Sequence, residues 1–205
     1  MLHRLRGMMT ALFTPVARAL LRIGVTPDAV TIAGTVAVVV IALWTLPTGH
    51  LLLGALLLGG CVLTDSLDGV MARLAGRAGP WGAFLDSTLD RVGDAAILGG
   101  IAMGFVNAGD ARTAAVAIAC LVGGLVVSYA KARAEGVGAE CNVGIAERTE
   151  RLIIQGIGVV LYGFGVPYAL PVALWVLLVL TWVTVGQRIW HVRTQLLVAP
   201  EDRPA

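Results

Sequence analysis

Four aspartates, Asp65, Asp68, Asp86 and Asp90, lie in or beside long apolar runs. Asp65 and Asp68 are three residues apart and Asp86 and Asp90 four apart, so on helices each pair shares a face. A carboxylate in such surroundings is disfavoured by about 2.5–3.5 kcal/mol on insertion scales. Four that converge repel one another unless a cation lies between them. Hard divalent cations take oxygen ligands, and four carboxylates could hold two of them, as in sites that clamp phosphoryl oxygens during displacement. Intramembrane aspartates also build proton relays and ion pathways. Spacing alone leaves both chemistries open.

The rest of the chain must place these residues against a membrane. It is 58% hydrophobic and 14% charged, with mean hydropathy +0.86. Soluble domains run nearer 45–50% apolar and about 25% charged. The composition therefore reads as an all-α integral membrane protein, and no nucleic-acid partner is expected. Cys61, Cys120 and Cys141 lack metal-like spacing and read as small hydrophobes.

Residues 1–22 carry Arg4, Arg6, Arg18 and Arg22 among Leu5, Met8, Met9, Leu12, Phe13, Val16 and Leu20, apolar positions at helical spacing. This is an amphipathic helix expected in the membrane interface; the alternative is a helix packed on the bundle. It does not read as a signal peptide. Thr26-Pro27-Asp28 marks a new helix start. Spans are expected over 29–46, 51–64 (running on into Asp65 and Asp68), 81–106, 113–130, from Arg151 to about 163, and 166–190, with a polar loop or helix end at 131–147. Residues 1–198 then form one membrane domain and 199–205 a polar tail. With the N-terminus inside, every Lys and Arg of the 15 except Arg112 falls at the cytoplasmic side. That is the positive-inside pattern, and an odd number of spans would scramble it. Six spans with both termini cytoplasmic follow, and the acidic cluster opens to the cytoplasm. Gly100-x-x-x-Gly104 permits close helix approach, within the chain or between copies.

The run Asp65-x-x-Asp68-Gly69-x-x-Ala72-Arg73, eight residues, Gly82-x-x-x-Asp86-x-x-x-Asp90 resembles the signature of the CDP-alcohol phosphotransferases, complete and correctly spaced. The resemblance implies transfer of a substituted phosphate from a CDP-linked lipid to a hydroxyl, with release of CMP. It implies two Mg²⁺ or Mn²⁺ ions held by Asp65, Asp68, Asp86 and Asp90, with Asp90 also activating the acceptor hydroxyl. It places CDP-diacylglycerol against Asp28, Thr31, Asp65, Asp68, Gly69, Ala72, Arg73 and Gly82, and it implies a homodimer. Without the resemblance, Asp28 reads as a helix cap, and Arg73 as a phosphate clamp or as a partner of Asp68. Asp94, one turn past the signature, is expected to pair with Arg91.

A second constellation is basic. Ser128, Lys131 and Arg133 end the fourth span, and Arg148 and Arg151, three apart, begin the fifth. They suit a phosphorylated acceptor, although positive-inside flanking also explains basic residues there. The stretches Ser128-Tyr129-Ala130-Lys131-Ala132-Arg133-Ala134-Glu135 and Glu147-Arg148-Thr149-Glu150-Arg151 are similar to those of the actinobacterial phosphatidylinositol-phosphate synthases within the family. Those proteins carry Pro where Thr149 stands. This resemblance implies an inositol phosphate acceptor, with Ser128, Lys131, Arg133, Arg148 and Arg151 holding its phosphate. Glycerol 3-phosphate is the alternative acceptor, and a carboxylate-lined cation transporter the alternative class.

Overall fold

A computed structural model describes residues 13–76 and 79–198, with the backbone alone at 63–66 and 198. Among the described residues the chain is helical throughout, with no strand: α1 over 13–22, α2 Pro27–Thr45, α3 Leu51–Leu74, α4 Pro80–Asn107, α5 Ala111–Gly136, α6 Arg148–Gly163 and α7 Ala169–Val198. Residues 1–12 of the expected amphipathic helix, and the tail from residue 199, lie outside the described residues.

Local chemistry explains where the helices begin and stop. The Thr26 side chain caps α2, accepting from the Ala29 N–H at 3.2 Å, and Pro27 supplies a preset φ in the first turn. Thr26, not Asp28, is therefore the cap. Asp110 caps α5, accepting from the Thr113 N–H at 2.9 Å and from the Thr113 hydroxyl at 2.5 Å. Gly49 (φ 79°) and Gly109 (φ 79°) turn the chain between helices, a conformation that disfavours residues with a Cβ. α5 runs six residues past the expected end at Ala130, because Lys131-Ala132-Arg133-Ala134-Glu135 are good helix formers. α7 starts later than expected, at Ala169, because Gly165, Pro167 and Tyr168 (φ 62°) hold the chain out of helix.

α2, α3, α5 and α7 are long and apolar enough to cross a membrane. α4 carries Asp86, Asp90, Arg91 and Asp94 in its first half, and α6 has 16 residues, so neither meets that standard by length and composition.

The chain divides into two compact units, Met1–Gly100 and Ile101–Ala205. In the first, α2 packs on α3. Phe13, Ala17, Leu20 and Leu21 of α1 pack with Leu67, Val70 and Met71 of α3, so the described part of α1 lies on the bundle through one face. Its other face leaves Val16 exposed. Small residues set the helix separations, as they must where lipid removes the hydrophobic drive between helices. A Cβ at Gly100 would lie 2.7 Å from the Ala42 carbonyl oxygen, so this glycine serves an approach within the chain.

In the second unit, α5 and α6 both pack on α7. A Cβ at Gly123 would meet the Thr181 methyl at 2.8 Å, and one at Gly158 would meet Ala173 Cβ at 2.6 Å. The Cys120 thiol donates to the Leu174 carbonyl at 3.2 Å. None of the three cysteines forms a disulfide, and Cys120 and Cys141 are buried.

Candidate functional site

In the first unit the helix ends carry the acids. Asp68, in the C-terminal half of α3, is half-buried. Its Oδ2 accepts from the Thr31 hydroxyl of α2 at 2.6 Å, and its Oδ1 from the Gly69 N–H at 2.5 Å. Asp86, on α4, is close enough for its charge to act on Asp68. The two carboxylates, on different helices, therefore lie within range of each other's charge. Asp90 lies one turn deeper on α4, half-buried, 3.6 Å from an Arg91 nitrogen; Arg91 also reaches Asp94 at 3.9 Å, the expected pairing. The backbone of Asp65 continues α3, and its side chain is outside the described set.

Space is left beside these carboxylates. Among the described residues, a Cβ at Gly82 would meet nothing within 4 Å, and one at Gly69 would meet only an Arg73 guanidinium nitrogen, at 3.5 Å. Arg73 itself is exposed in the last turn of α3. Among the described residues no three His, Cys, Asp or Glu side chains gather around one point. The donor set nevertheless fits a hard divalent cation: each Asp68 oxygen has one hydrogen bond and keeps lone pairs free. The nearby Asp86 repels it until a cation is supplied.

The first turn of α2 touches both acid-bearing helices. Thr31 reaches Asp68 of α3, and Asp28 accepts from the Trp81 indole N–H of α4 at 3.0 Å. Trp81 was invisible as a site residue by sequence reasoning. Its one signal was a place between Pro80 and the signature glycine Gly82.

In the second unit the basic residues divide by burial. Arg151 is 6% exposed, donates to the Ala146 carbonyl at 3.3 Å, and lies against Gly124, where a Cβ would be 3.4 Å from its Nε. Ser128 donates to the Gly124 carbonyl at 3.0 Å, so α5 and α6 bring Ser128 and Arg151 to the same glycine. Lys131 and Arg148 are half-buried and Arg133 is exposed.

Sequence reasoning counted Arg188 only as a flanking charge. It is 4% exposed and donates to the Val127 carbonyl at 2.6 Å and the Val143 carbonyl at 2.9 Å, with Glu147 at 3.7 Å. Thr184 accepts from the Ala146 N–H at 3.0 Å and Gln187 from the Ile145 N–H at 3.2 Å. The end of α7 thus fixes the 143–147 loop that delivers Arg148 and Arg151. An arginine inside an otherwise apolar helix was the available signal.

Comparison with known proteins gives a consistent result. The profile of the family described as CDP-alcohol phosphatidyltransferase matches residues 24–192. The chain is 46% identical to the phosphatidylinositol phosphate synthase of Streptomyces avermitilis over 198 residues, 93% of this chain and 81% of that protein. It is 43% identical to that of Cutibacterium acnes, covering 94% of this chain and 98% of that protein. The crystal structure of Mycobacterium tuberculosis phosphatidylinositol phosphate synthase with CDP-DAG bound matches with a TM-score of 0.87 at 42% identity, over 95% of this chain and 99% of that one. The structure of the same enzyme in complex with manganese and citrate matches with a TM-score of 0.86, over 94% and 93%.

Proposed function

The chain belongs to the CDP-alcohol phosphatidyltransferase family, and on that premise we propose how its residues divide the reaction. It is a membrane-integral enzyme that transfers the phosphatidyl group of CDP-diacylglycerol to 1D-myo-inositol 3-phosphate and releases CMP, and it depends on a divalent metal. The transporter reading is dropped with this.

The observation that supports the assignment of the site is that Asp68 of α3 and Asp86 of α4 lie within range of each other's charge, with the glycines Gly69 and Gly82 on the same two helices. Asp65, Asp68, Asp86 and Asp90 hold two ions, Mg²⁺ or Mn²⁺. When bound, these neutralise the donor diphosphate and the charge that develops on departing CMP. Asp28, Thr31, Gly69, Ala72, Arg73 and Gly82 seat the CDP portion, the small residues letting it approach the backbone. Ser128, Lys131, Arg133, Arg148 and Arg151 hold the acceptor phosphate; the buried Arg151 does so as a fixed charge, held at the Ala146 carbonyl. Asp90 takes the proton of the acceptor hydroxyl as its oxygen bonds to the phosphatidyl phosphorus. The bond from that phosphorus to the CMP oxygen breaks, and its electron pair leaves with CMP.

Residues 1–198 act as one membrane domain of six spans, α4 and α6 joining the four longer apolar helices. The charge pattern supports an even number, with both termini and the site at the cytoplasmic face. A homodimer is the expected assembly; Gly100 is not its seam, being occupied by Ala42.

The test is purified protein in detergent with CDP-diacylglycerol, Mg²⁺ and either inositol 3-phosphate or glycerol 3-phosphate. CMP release with the inositol phosphate is expected. Turnover of glycerol 3-phosphate alone would refute the acceptor, and no metal-dependent CMP with either would refute the enzymatic reading.

A further inference from the structure

The Trp81 indole is held from two sides. Its N–H donates to Asp28 Oδ2 at 3.0 Å, across 53 residues of sequence, and its ring stacks on Phe84 at 6.0 Å between centroids and 30° between planes. Phe84 is one helical turn on, so the pair forms within α4 and sets the indole's direction before it meets α2. Trp81 is 62% exposed and Phe84 61%, the disposition of interfacial aromatics with one wet and one apolar end. A purely interfacial Trp would give its N–H to water or headgroups. This one gives it to a carboxylate in the first turn of another helix. The bond occupies one oxygen of Asp28. A carboxylate has about four acceptor positions, so Oδ1 keeps its capacity for a ligand while its direction is fixed. The residue after Trp81 is Gly82, beside which there is open space.

We propose that Trp81 is a positioning residue for the nucleotide donor, acting through Asp28: its indole N–H fixes the carboxylate so that the second oxygen faces the hydrogen-bond donors of the cytidine diphosphate group. This deepens the reading above and rests on the assignment of Asp28 to the CDP portion. The effect falls on donor binding. Proton transfer at Asp90 and the acceptor phosphate site in the second unit are not touched by the bond.

The experiment measures steady-state rates in detergent micelles, with the donor KM as the mole fraction of CDP-diacylglycerol, for the wild type, Trp81→Phe, Asp28→Ala and the double variant. Phe keeps the ring surface and removes only the N–H. The expected result for Trp81→Phe is a donor KM raised about five-fold, with kcat and the acceptor KM within two-fold of wild type, the scale of one charge-assisted hydrogen bond acting indirectly. In the Asp28→Ala background the same change should have no further effect, since contacting residues couple and the partner is gone. Three results would overturn the proposal. A donor KM that responds to Asp28→Ala and not to Trp81→Phe means the bond is incidental. A Trp81→Phe effect that persists undiminished without Asp28 means the ring acts on its own. A fall in kcat with both KM values raised alike means a general structural role. If Asp28→Ala itself leaves the donor KM unchanged, the assignment of Asp28 fails, and the proposal falls with it by a distinguishable route.

Discussion

A Cβ at Gly82 of α4 would meet nothing within 4 Å among the described residues and one at Gly69 of α3 only Arg73, whereas Gly123 of α5, Gly158 of α6 and Gly144 in the loop between those helices are filled by Thr181, Ala173 and Thr184. The same residue type thus serves opposite ends. At Gly69 and Gly82 it leaves room beside the acid-bearing helices. At Gly123 and Gly158, as at Gly100 in the first unit, it lets helices close on one another. Charge follows the same division. Asp86 and Arg73 are exposed and Asp68 and Asp90 half-buried, held by a few hydrogen bonds. Arg151 and Arg188 are buried and tied to backbone carbonyls of the loop and helix around them. A site for mobile ions and a large nucleotide wants room and free lone pairs. The proposed acceptor site for a small phosphorylated polyol would gain from a cation such as Arg151 whose geometry is set beforehand.

The comparison breaks most visibly at its chemical centre. Asp90→Asn should lower turnover about 1,000-fold, the scale of a lost general base, while CDP-lipid binding and thermal stability stay near wild type. Unchanged turnover would refute the role of Asp90. The next effect belongs to the filled side. Arg188→Ala removes a cation shared by Val127, Val143 and Glu147, and should destabilise the protein by about 3 kcal/mol, read as earlier thermal unfolding in detergent. A stability loss below about 1 kcal/mol would show that the 143–147 loop holds itself.

The glycines sharpen the contrast as a matched pair. Gly158→Ala forces a methyl to within 2.6 Å of Ala173 Cβ and should destabilise by about 1–3 kcal/mol. Gly82→Ala meets no neighbour and should leave stability unchanged or raise it by about 1 kcal/mol, yet raise the donor KM. Equal stability losses at both would erase the distinction.

The smallest effect lies outside both sites, at the exposed cap of α5. Hydrogen bonds from the Thr113 hydroxyl and backbone N–H hold the Asp110 carboxyl below the usual carboxylate range. A depressed folded value means that the cap stabilises at neutral pH, above the ordinary Asp value of about 3.9, and that this is lost as pH falls through the lower folded value. Asp110→Asn should therefore show a flatter acid limb in a melting-temperature profile, and the same limb in both proteins would discount the cap.

The acids were legible in sequence because a carboxylate in an apolar run is costly enough to need a reason. Their spacing suits shared helix faces, and the described backbone is helical at all four positions. The start of α2 was legible through Thr26 and Pro27, although the capping role fell to Thr26 and not to Asp28. The links Thr31–Asp68 and Trp81–Asp28 were not legible, because each joins residues 37 and 53 apart through the packing of separate helices. Arg188 was hidden for a related reason: a flanking cation and a buried strut have the same letter, and only the 143–147 loop folding back on α7 separates them. For residues 13–22, periodicity does not say whether lipid or α3 meets an apolar face: Phe13 and Leu20 pack with α3 while Val16 is exposed.

The central claim is that the acids of α3 and α4 jointly hold a pair of divalent ions beside the donor diphosphate. Counting bound Mn²⁺ by electron paramagnetic resonance, with CDP-diacylglycerol in micelles, tests it directly. Two ions per chain are expected in the wild type, with loss of at least one in Asp86→Asn and in Asp68→Asn separately. The same number of ions in the variants as in the wild type, or none in any of them, would contradict the account.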